Sequence, residues 1–235
     1  MNMIKRRSHA CIITFIGPVG VGKSTQIRLI KDYFKLKGIR TTQTFIKSNH
    51  ALTYILSEFL KALGLYEKVS YPEGVTRIYP AREVVRKLFP LWCFLDTLSI
   101  TFKFFFTVYL PFRLGLTPLI EEGLMMSFYT YVMSFPHFFK TEPKVLPLLP
   151  SLLGWVISKN HVNVVLDARE EELDRRRSKR NYRQNELSDY VSMQKKWIRR
   201  LNSRNTFFMD TTDEPVLRVH KNIVTALEKY IFPGN

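Results

Sequence analysis

A chain of 235 residues and 27.7 kDa is long enough for one α/β domain with room for an insertion. Its apolar share of 46% excludes a chain disordered throughout, and its two cysteines, Cys11 and Cys93, exclude a disulfide-stapled scaffold. A formal net charge of +16 calls for anionic partners without choosing among nucleotides, nucleic acids and acidic membrane surfaces.

At the start, Lys5-Arg6-Arg7 has the charge of a secretion signal's first segment. The apolar run behind it passes straight into a glycine loop with no cleavage-type site, so no signal peptide is expected. That run, Cys11 to Ile16, is apolar and β-rich and is predicted as a buried first strand. Gly17-Pro18-Val19-Gly20-Val21-Gly22-Lys23-Ser24-Thr25 follows and fits G-x-x-x-x-G-K-[ST] at every required position. Behind it, Ile27, Ile30, Phe34 and Leu36 recur at helical spacing as far as Lys37, and Gly38 supplies the stop.

Strand, glycine loop and helix form the context in which this pattern cradles phosphate. Glycines at 17, 20 and 22 let backbone N–H groups turn inward, and the helix N-terminus adds partial positive charge. Lys23 is placed to reach the β- and γ-phosphates, Ser24 to hold Mg²⁺, and Thr25 to lie beside them. The expected ligands are therefore ATP and Mg²⁺.

Further along, the pattern predicts a second strand over Thr41–Lys47, a helix over Asn49–Leu63, and a loop over Leu65–Pro80 because of Pro72, Gly74 and Pro80. Ala81–Phe112 reads as helix in two pieces broken near Pro90. Its Leu88–Phe112 portion is long enough to cross a bilayer, but Asp96 and Lys103 interrupt it and Pro90 and Pro111 bracket it. Three readings stay open for it: a buried or groove-lining helix, which is favoured, a helix lying on a membrane surface, and a span. Its aromatic residues Phe102, Phe104, Phe105, Phe106, Tyr109 and Phe112 are expected mainly in the core, with base stacking or a lipid groove as alternatives.

Strands are also predicted at Leu116–Ile120, Val162–Leu166 and Thr206–Met209. Helices are expected at Leu124–Phe139, briefly from Ser151, and at Glu170–Arg180, Leu187–Leu201 and Glu214–Tyr230. Lys140–Pro150 and Asn181–Glu186 are expected as loop and hinge. Strands alternating with helices predict a mostly parallel sheet of about five strands with helices on both faces. Glu121, Glu122 and Asp167 fall just past strand ends, where open α/β sheets place their ligands. Glu121 and Glu122 are candidates to hold Mg²⁺, with helix N-terminal capping charge as the alternative, while Asp167 reads as structural. Neither cysteine has histidine partners at metal-ligand spacing, and His50, His137 and His161 receive no role.

Taken in order, these motifs resemble the thymidylate kinase branch of the P-loop nucleoside monophosphate kinases. Gly22-Lys23-Ser24-Thr25-Gln26 is similar to that branch's loop. Val164-Val165-Leu166-Asp167 with Glu170–Arg177 resembles its strand and the helix leading into an arginine-bearing lid. Asn185-Glu186 resembles its acidic position after the lid, and Phe207–Thr212 its last strand and adenine-side loop. The likeness covers residues 11–49 and 160–231.

It implies a three-layer P-loop kinase fold over residues 1–235, with an aromatic-rich helical insertion about 65–115 and a lid about 170–186. It also implies ATP-dependent transfer to a nucleoside monophosphate, dTMP being the best guess. Thr211 and Thr212 would lie on the nucleotide's adenine side, Arg176 or Arg180 would reach its phosphates, and Lys23 and Glu121 would complete the catalytic set. The alternative for this charged run is a solvated helix face, with Glu171–Arg175 and Glu172–Arg176 paired at i,i+4.

Two departures fall on the acceptor side. The family's Asp-Arg pair after the third strand reads Glu121-Glu122 here, and its Arg-Glu-Pro after the second strand reads Lys47-Ser48-Asn49. The alternatives kept open are a sugar or lipid-linked acceptor and a nucleotide-gated module binding nucleic acid or a partner. No nucleic-acid motif stands beside the charge to favour the last. The expected setting is the cytoplasm, peripheral to a membrane in the lipid-linked case, and the aromatic helix could also serve a homodimer.

Overall fold

The computed structural model of the chain describes residues 10–46, 51–70, 76–123, 160–179, 195, 198 and 205–231. Its centre is a parallel five-stranded sheet of β1 (Ile12–Ile16), β2 (Thr41–Phe45), β5 (Thr117–Glu121), β6 (His161–Asp167) and β7 (Thr206–Asp210), in spatial order β2-β5-β1-β6-β7. After β1 the chain builds one half of the sheet through β2 and β5, then returns to build the other through β6 and β7. The order therefore reverses beside β1, and the crevice that open α/β sheets use for ligands opens at its C-terminal end.

Alternation along the strands divides the core between two faces. On one face Ile13, Phe15, Leu119 and Val164 pack with Ile27, Ile30 and Phe34 of α1 (Lys23–Leu36) and Val219, Ile223 and Leu227 of α6 (Val216–Ile231). On the other, Ile12, Ile46 and Ile120 meet Ile100 and Phe104 of α3 (Arg82–Phe104) and Val108 of the π-helical turn Phe105–Tyr109. With both faces covered, all five residues of β1 are buried, which explains a sequence that is apolar except at Thr14. The sheet with helices around it is the α/β architecture expected from the sequence.

Several local expectations require correction. Residues 65–80 are not simply loop: β3 (Tyr66–Ser70) and β4 (Thr76–Pro80) pair antiparallel. Pro80 ends its strand and so costs no interior ladder bond. Helix α3 does not break at Pro90. It runs on for 23 residues and continues through the π turn into α4 (Leu110–Arg113). Proline removes one helical N–H, but its fixed φ is itself helical, and packing retains the helix.

The aromatic residues do not all enter the core. Phe104 is buried, and Tyr109 and Phe112 pack at its edge, while Phe102, Phe105 and Phe106 are exposed, as is Phe94. Helix α2 (Leu52–Ala62) lies against α3, where Thr53 donates to the fully buried Asp96 carboxylate at 2.9 Å. Asp96 thus serves inside the fold. Arg82–Arg113 has the length and hydropathy of a membrane span, with 28% of its most apolar window buried.

The expected helices at 124–139, from 151 and at 187–201, and the segments 140–150 and 181–186, lie largely or wholly outside the described residues, as do His50 and His137. Cys11 is buried and Cys93 half-buried, and burial pushes both thiols up to about 12.

His161 opens β6 with Nε2 2.7 Å from the Thr14 hydroxyl, and burial lowers its pKa to about 4. A folded pKa below the unfolded value of about 6.5 means the neutral ring's contribution is complete above pH 6.5 and is lost as pH falls toward 4. Urea unfolding of the native chain and His161→Asn at pH 7 and pH 4 checks this. The native chain should lose more stability than the variant between the two, by at most about 3 kcal/mol.

Candidate active site

The glycine loop joins β1 to α1 under two constraints. A β-carbon on Gly17 would stand 2.4 Å from the Leu166 carbonyl oxygen, closer than any side chain permits. Gly20 and Gly22 hold φ of 92° and 104°, a left-handed region that disfavours other residues. Gly22 caps α1, so its N-terminal N–H groups open toward the loop.

Lys23 is 6% exposed, and its Nζ donates to the Gly17 and Pro18 carbonyls at 2.7 and 3.2 Å. Glu122 Oε1 lies 3.3 Å away and completes the ion pair. The next residue, Ser24, donates from Oγ to Glu121 Oε1 at 2.8 Å. Strand β5 thus sends two consecutive carboxylates to two consecutive residues of the loop, Glu121 to Ser24 and Glu122 to Lys23.

Hydroxyl and carboxylate oxygens are the hard donors that Mg²⁺ prefers, and Mg²⁺ commonly keeps several waters. Ser24 and Glu121 therefore fit a bound magnesium ion. Glu122, the other magnesium candidate, meets Lys23 instead. Among the described residues no group of three or more His, Cys, Asp or Glu gathers as a ready metal cluster.

On the other side of the loop lies a cavity of about 420 Å³, lined among others by Gly22, Gln26, Arg176, Thr211, Val216 and Val219. Thr25 and Gly20 also line it. Arg176, on α5 (Glu170–Ser178), is fixed from two sides. Glu172 Oε1 accepts from its Nε at 2.6 Å, while its Nη1 donates to the Thr211 hydroxyl at 3.0 Å and its Nη2 to the Thr211 carbonyl. This planar cation walls the cavity, and its hydrogen-bond partners are Glu172, Val21, Thr211 and Thr212 rather than Ser24 or Glu121. Hydrogen bonds from Arg175 and then from Arg176 pull the Glu172 carboxyl down to about 2.

Thr211 also donates to the Val21 and Asp167 carbonyls, tying the cavity wall to the loop. Thr212 is not part of the lining. It donates to Asp210 from both backbone N and Oγ1 and accepts from the Arg169 backbone N–H at 2.9 Å, bracing the turn after β7. Hydrogen bonds from Thr212, side chain first, hold the Asp210 carboxyl below its usual range. Asp167 takes a structural position, accepting from the Ala168 N–H and lying 3.4 Å from Lys195.

The expected Glu171–Arg175 pair is replaced by Glu172, which holds Arg175 and Arg176 together. The i,i+4 pair of Glu172 with Arg176 is the one expected from the sequence, and the i,i+3 contact with Arg175 is the one that was not. Arg177 has no surface exposure, ion-pairs with Asp174, and packs its side chain beneath Gly20. Nothing in its charged run distinguished it. Gln26 is a further residue that sequence reasoning had not placed in the cavity: it donates to the Val216 carbonyl at 3.0 Å. Arg180, Lys47, Asn185 and Glu186 lie outside the described residues.

The parallel sheet, the loop at its reversal point and the covering helices define a P-loop α/β fold of the thymidylate kinase type. Among solved structures, the thymidylate kinase of Candida albicans superposes with a TM-score of 0.60, over 94% of this chain and 92% of that one, at 12% identity. At that identity the likeness establishes the fold alone. No family model and no curated protein sequence matches the chain.

The crowding at Gly17 gives a direct check. Gly17→Ala must displace either the loop or the β6 carbonyl, and should weaken Mg-ATP binding by about tenfold or more in titration calorimetry. Gly38→Ala, at a positive φ in open space after α1, should cost about 1 kcal/mol of stability with ATP affinity unchanged.

Proposed function

We propose that the chain is an ATP-dependent phosphotransferase acting on a small-molecule acceptor. The observation that carries this is the double pairing of loop and strand, Lys23 with Glu122 and Ser24 with Glu121, at the sheet's reversal point. Phosphoryl transfer asks little covalent work of a protein. It needs the triphosphate positioned, the developing charge neutralised and water held back.

In this reading the loop N–H groups and Lys23 hold the phosphates, and Ser24 and Glu121 hold Mg²⁺, which offsets phosphate charge when bound. The cavity walled by Arg176 and Thr211 takes the nucleotide's base. Arg176 then acts as a wall for the base, and the phosphate-reaching arginine is left to the lid, with Arg180 as its candidate.

The reading takes residues 1–235 as one kinase unit with an insertion at 65–115 and a lid at 170–186. The resemblance to thymidylate kinases brings nucleoside monophosphates into consideration as acceptors, dTMP first, and a cytoplasmic setting. A second reading, an acceptor presented at a membrane surface, is favoured by the exposed Phe94, Phe102, Phe105 and Phe106 on one long apolar helix. Arg82, Arg86 and Arg113 at its ends suit anionic headgroups. Retention on phosphatidylglycerol vesicles, lost when the four phenylalanines are changed to serine, would support that setting.

The phosphotransferase reading is tested by ADP release from Mg-ATP with dTMP, dUMP, CMP, AMP, GMP, UMP and the corresponding nucleosides. One acceptor should stimulate release, and Lys23→Ala should lower the stimulated rate by about a hundredfold or more. Equal rates with and without every acceptor, or an unaffected Lys23→Ala, would contradict it.

A further inference from the structure

The cavity beside the glycine loop contains a polar group that its own walls leave unsatisfied. Gln26 sits in the first turn of α1, is 4% exposed, and lines the cavity together with Val216. Its Nε2 donates to the Val216 carbonyl at 3.0 Å. That bond fixes which end of the amide is which, because a flipped amide would set its oxygen against the Val216 oxygen. Oε1 is therefore the free end, and it is buried without a hydrogen-bond donor.

A buried acceptor left without a donor carries a desolvation penalty, which a donor on a ligand would remove. The last torsion of a glutamine is broad, so the amide can tilt toward a ligand while Nε2 keeps its partner. Arg175 and Arg176 in the same lining are already engaged. Both donate to Glu172, and Arg176 also donates to Thr211. Glu214, a further lining residue, has Oε2 buried without a hydrogen bond, with Arg218 Nε 3.3 Å from it. Gln26 and Glu214 thus both present acceptor oxygens, and the cavity calls for N–H groups on its ligand.

Resting on the phosphotransferase reading above, which places the nucleotide's base in this cavity, we propose that Gln26 selects the nucleotide. It takes a 6-aminopurine and rejects a 6-oxopurine. A purine nucleotide whose phosphates lie in the loop enters the cavity with its six-membered ring leading, since the five-membered ring carries the ribose. The substituent at C6 then meets the floor that Val216 and Val219 form with Gln26.

In a 6-aminopurine that substituent is an N–H donor, and it satisfies Oε1. In a 6-oxopurine it is a carbonyl, and two acceptor oxygens face each other with no proton between them. The guanidinium plane of Arg176 receives the face of either ring and does not discriminate between them. Discrimination therefore falls to the amide of Gln26.

The test is titration calorimetry of the native chain with the Mg²⁺ complexes of ATP, purine riboside triphosphate, ITP and GTP. Purine riboside carries only hydrogen at C6, and inosine and guanosine carry oxygen there. ATP should bind about tenfold or more tightly than purine riboside triphosphate, and ITP and GTP should fall behind ATP by at least as much. The same series is run on Gln26→Met after thermal unfolding has established that the variant is folded. Methionine is close to glutamine in length and offers no comparable acceptor. ATP should then lose about tenfold or more, and the four affinities should come within about threefold of one another.

Equal binding of all four nucleotides by the native chain overturns this proposal and leaves the phosphotransferase reading standing. So does an equal loss for all four in Gln26→Met, which is what a purely structural glutamine would give. If that variant does not fold, the native series decides by itself. Binding of none overturns both readings. Selective binding of ATP, with no transfer to any acceptor in the ADP-release panel, supports this proposal and overturns the phosphotransferase reading.

Discussion

A lysine ammonium that is 6% exposed has to be surrounded by oxygen, and Lys23 is surrounded by the loop that carries it and by Glu122, the residue after β5. An unpaired buried charge costs several kcal/mol, so this cluster constrains everything around it. The loop must curl until the Gly17 and Pro18 carbonyls face the ammonium, which fixes glycine at 17 against the β6 backbone. Strand β5 must sit beside β1 so that its end delivers Glu122. The parallel order β2-β5-β1-β6-β7 meets that requirement, and the same register carries Glu121 to Ser24.

The two faces of the loop are thereby given different chemistry. Toward β5 lie two carboxylates, one lysine and one hydroxyl, the groups to which the proposed function assigns phosphate and a cation. Toward α5 and α6 lies a cavity with an apolar floor at Val216 and Val219 and a guanidinium wall at Arg176, suited to a flat aromatic base. Glu172 and Thr211 hold that wall in place before any ligand arrives, which reduces the ordering cost of binding. Beyond the sheet, helix α3 contributes Ile100 and Phe104 to the core and leaves other aromatics on the surface.

Much of this was legible in the sequence, for reasons that differ by element. The glycine loop could be read residue by residue because each position answers a local demand, of φ, of space or of charge. β1 and β6 could be read because burial on both faces leaves an apolar run with few polar interruptions. Helix α3 was misread at Pro90, where packing overrides a local breaker. The hairpin of β3 and β4 was missed because its strands carry charged and polar residues and an exposed two-stranded ribbon needs no apolar stripe. That Glu121 ends a strand was legible because the apolar run stops there. The partner of Glu122 was not legible, since it depends on a left-handed turn that a glutamate adopts only under tertiary constraint. The burial of Arg177 was likewise hidden inside a run of three arginines that looks solvent-facing.

The measurement closest to the centre of this account is a crystal structure with Mg²⁺ and a non-hydrolysable ATP analogue. The triphosphate is expected within the Gly17–Ser24 loop, Mg²⁺ between Ser24 and Glu121, and the base against Arg176. The Lys23 ammonium should have moved from Glu122 to the β- and γ-phosphates. A triphosphate bound elsewhere, or bound in the loop with Lys23 still held by Glu122, would contradict it.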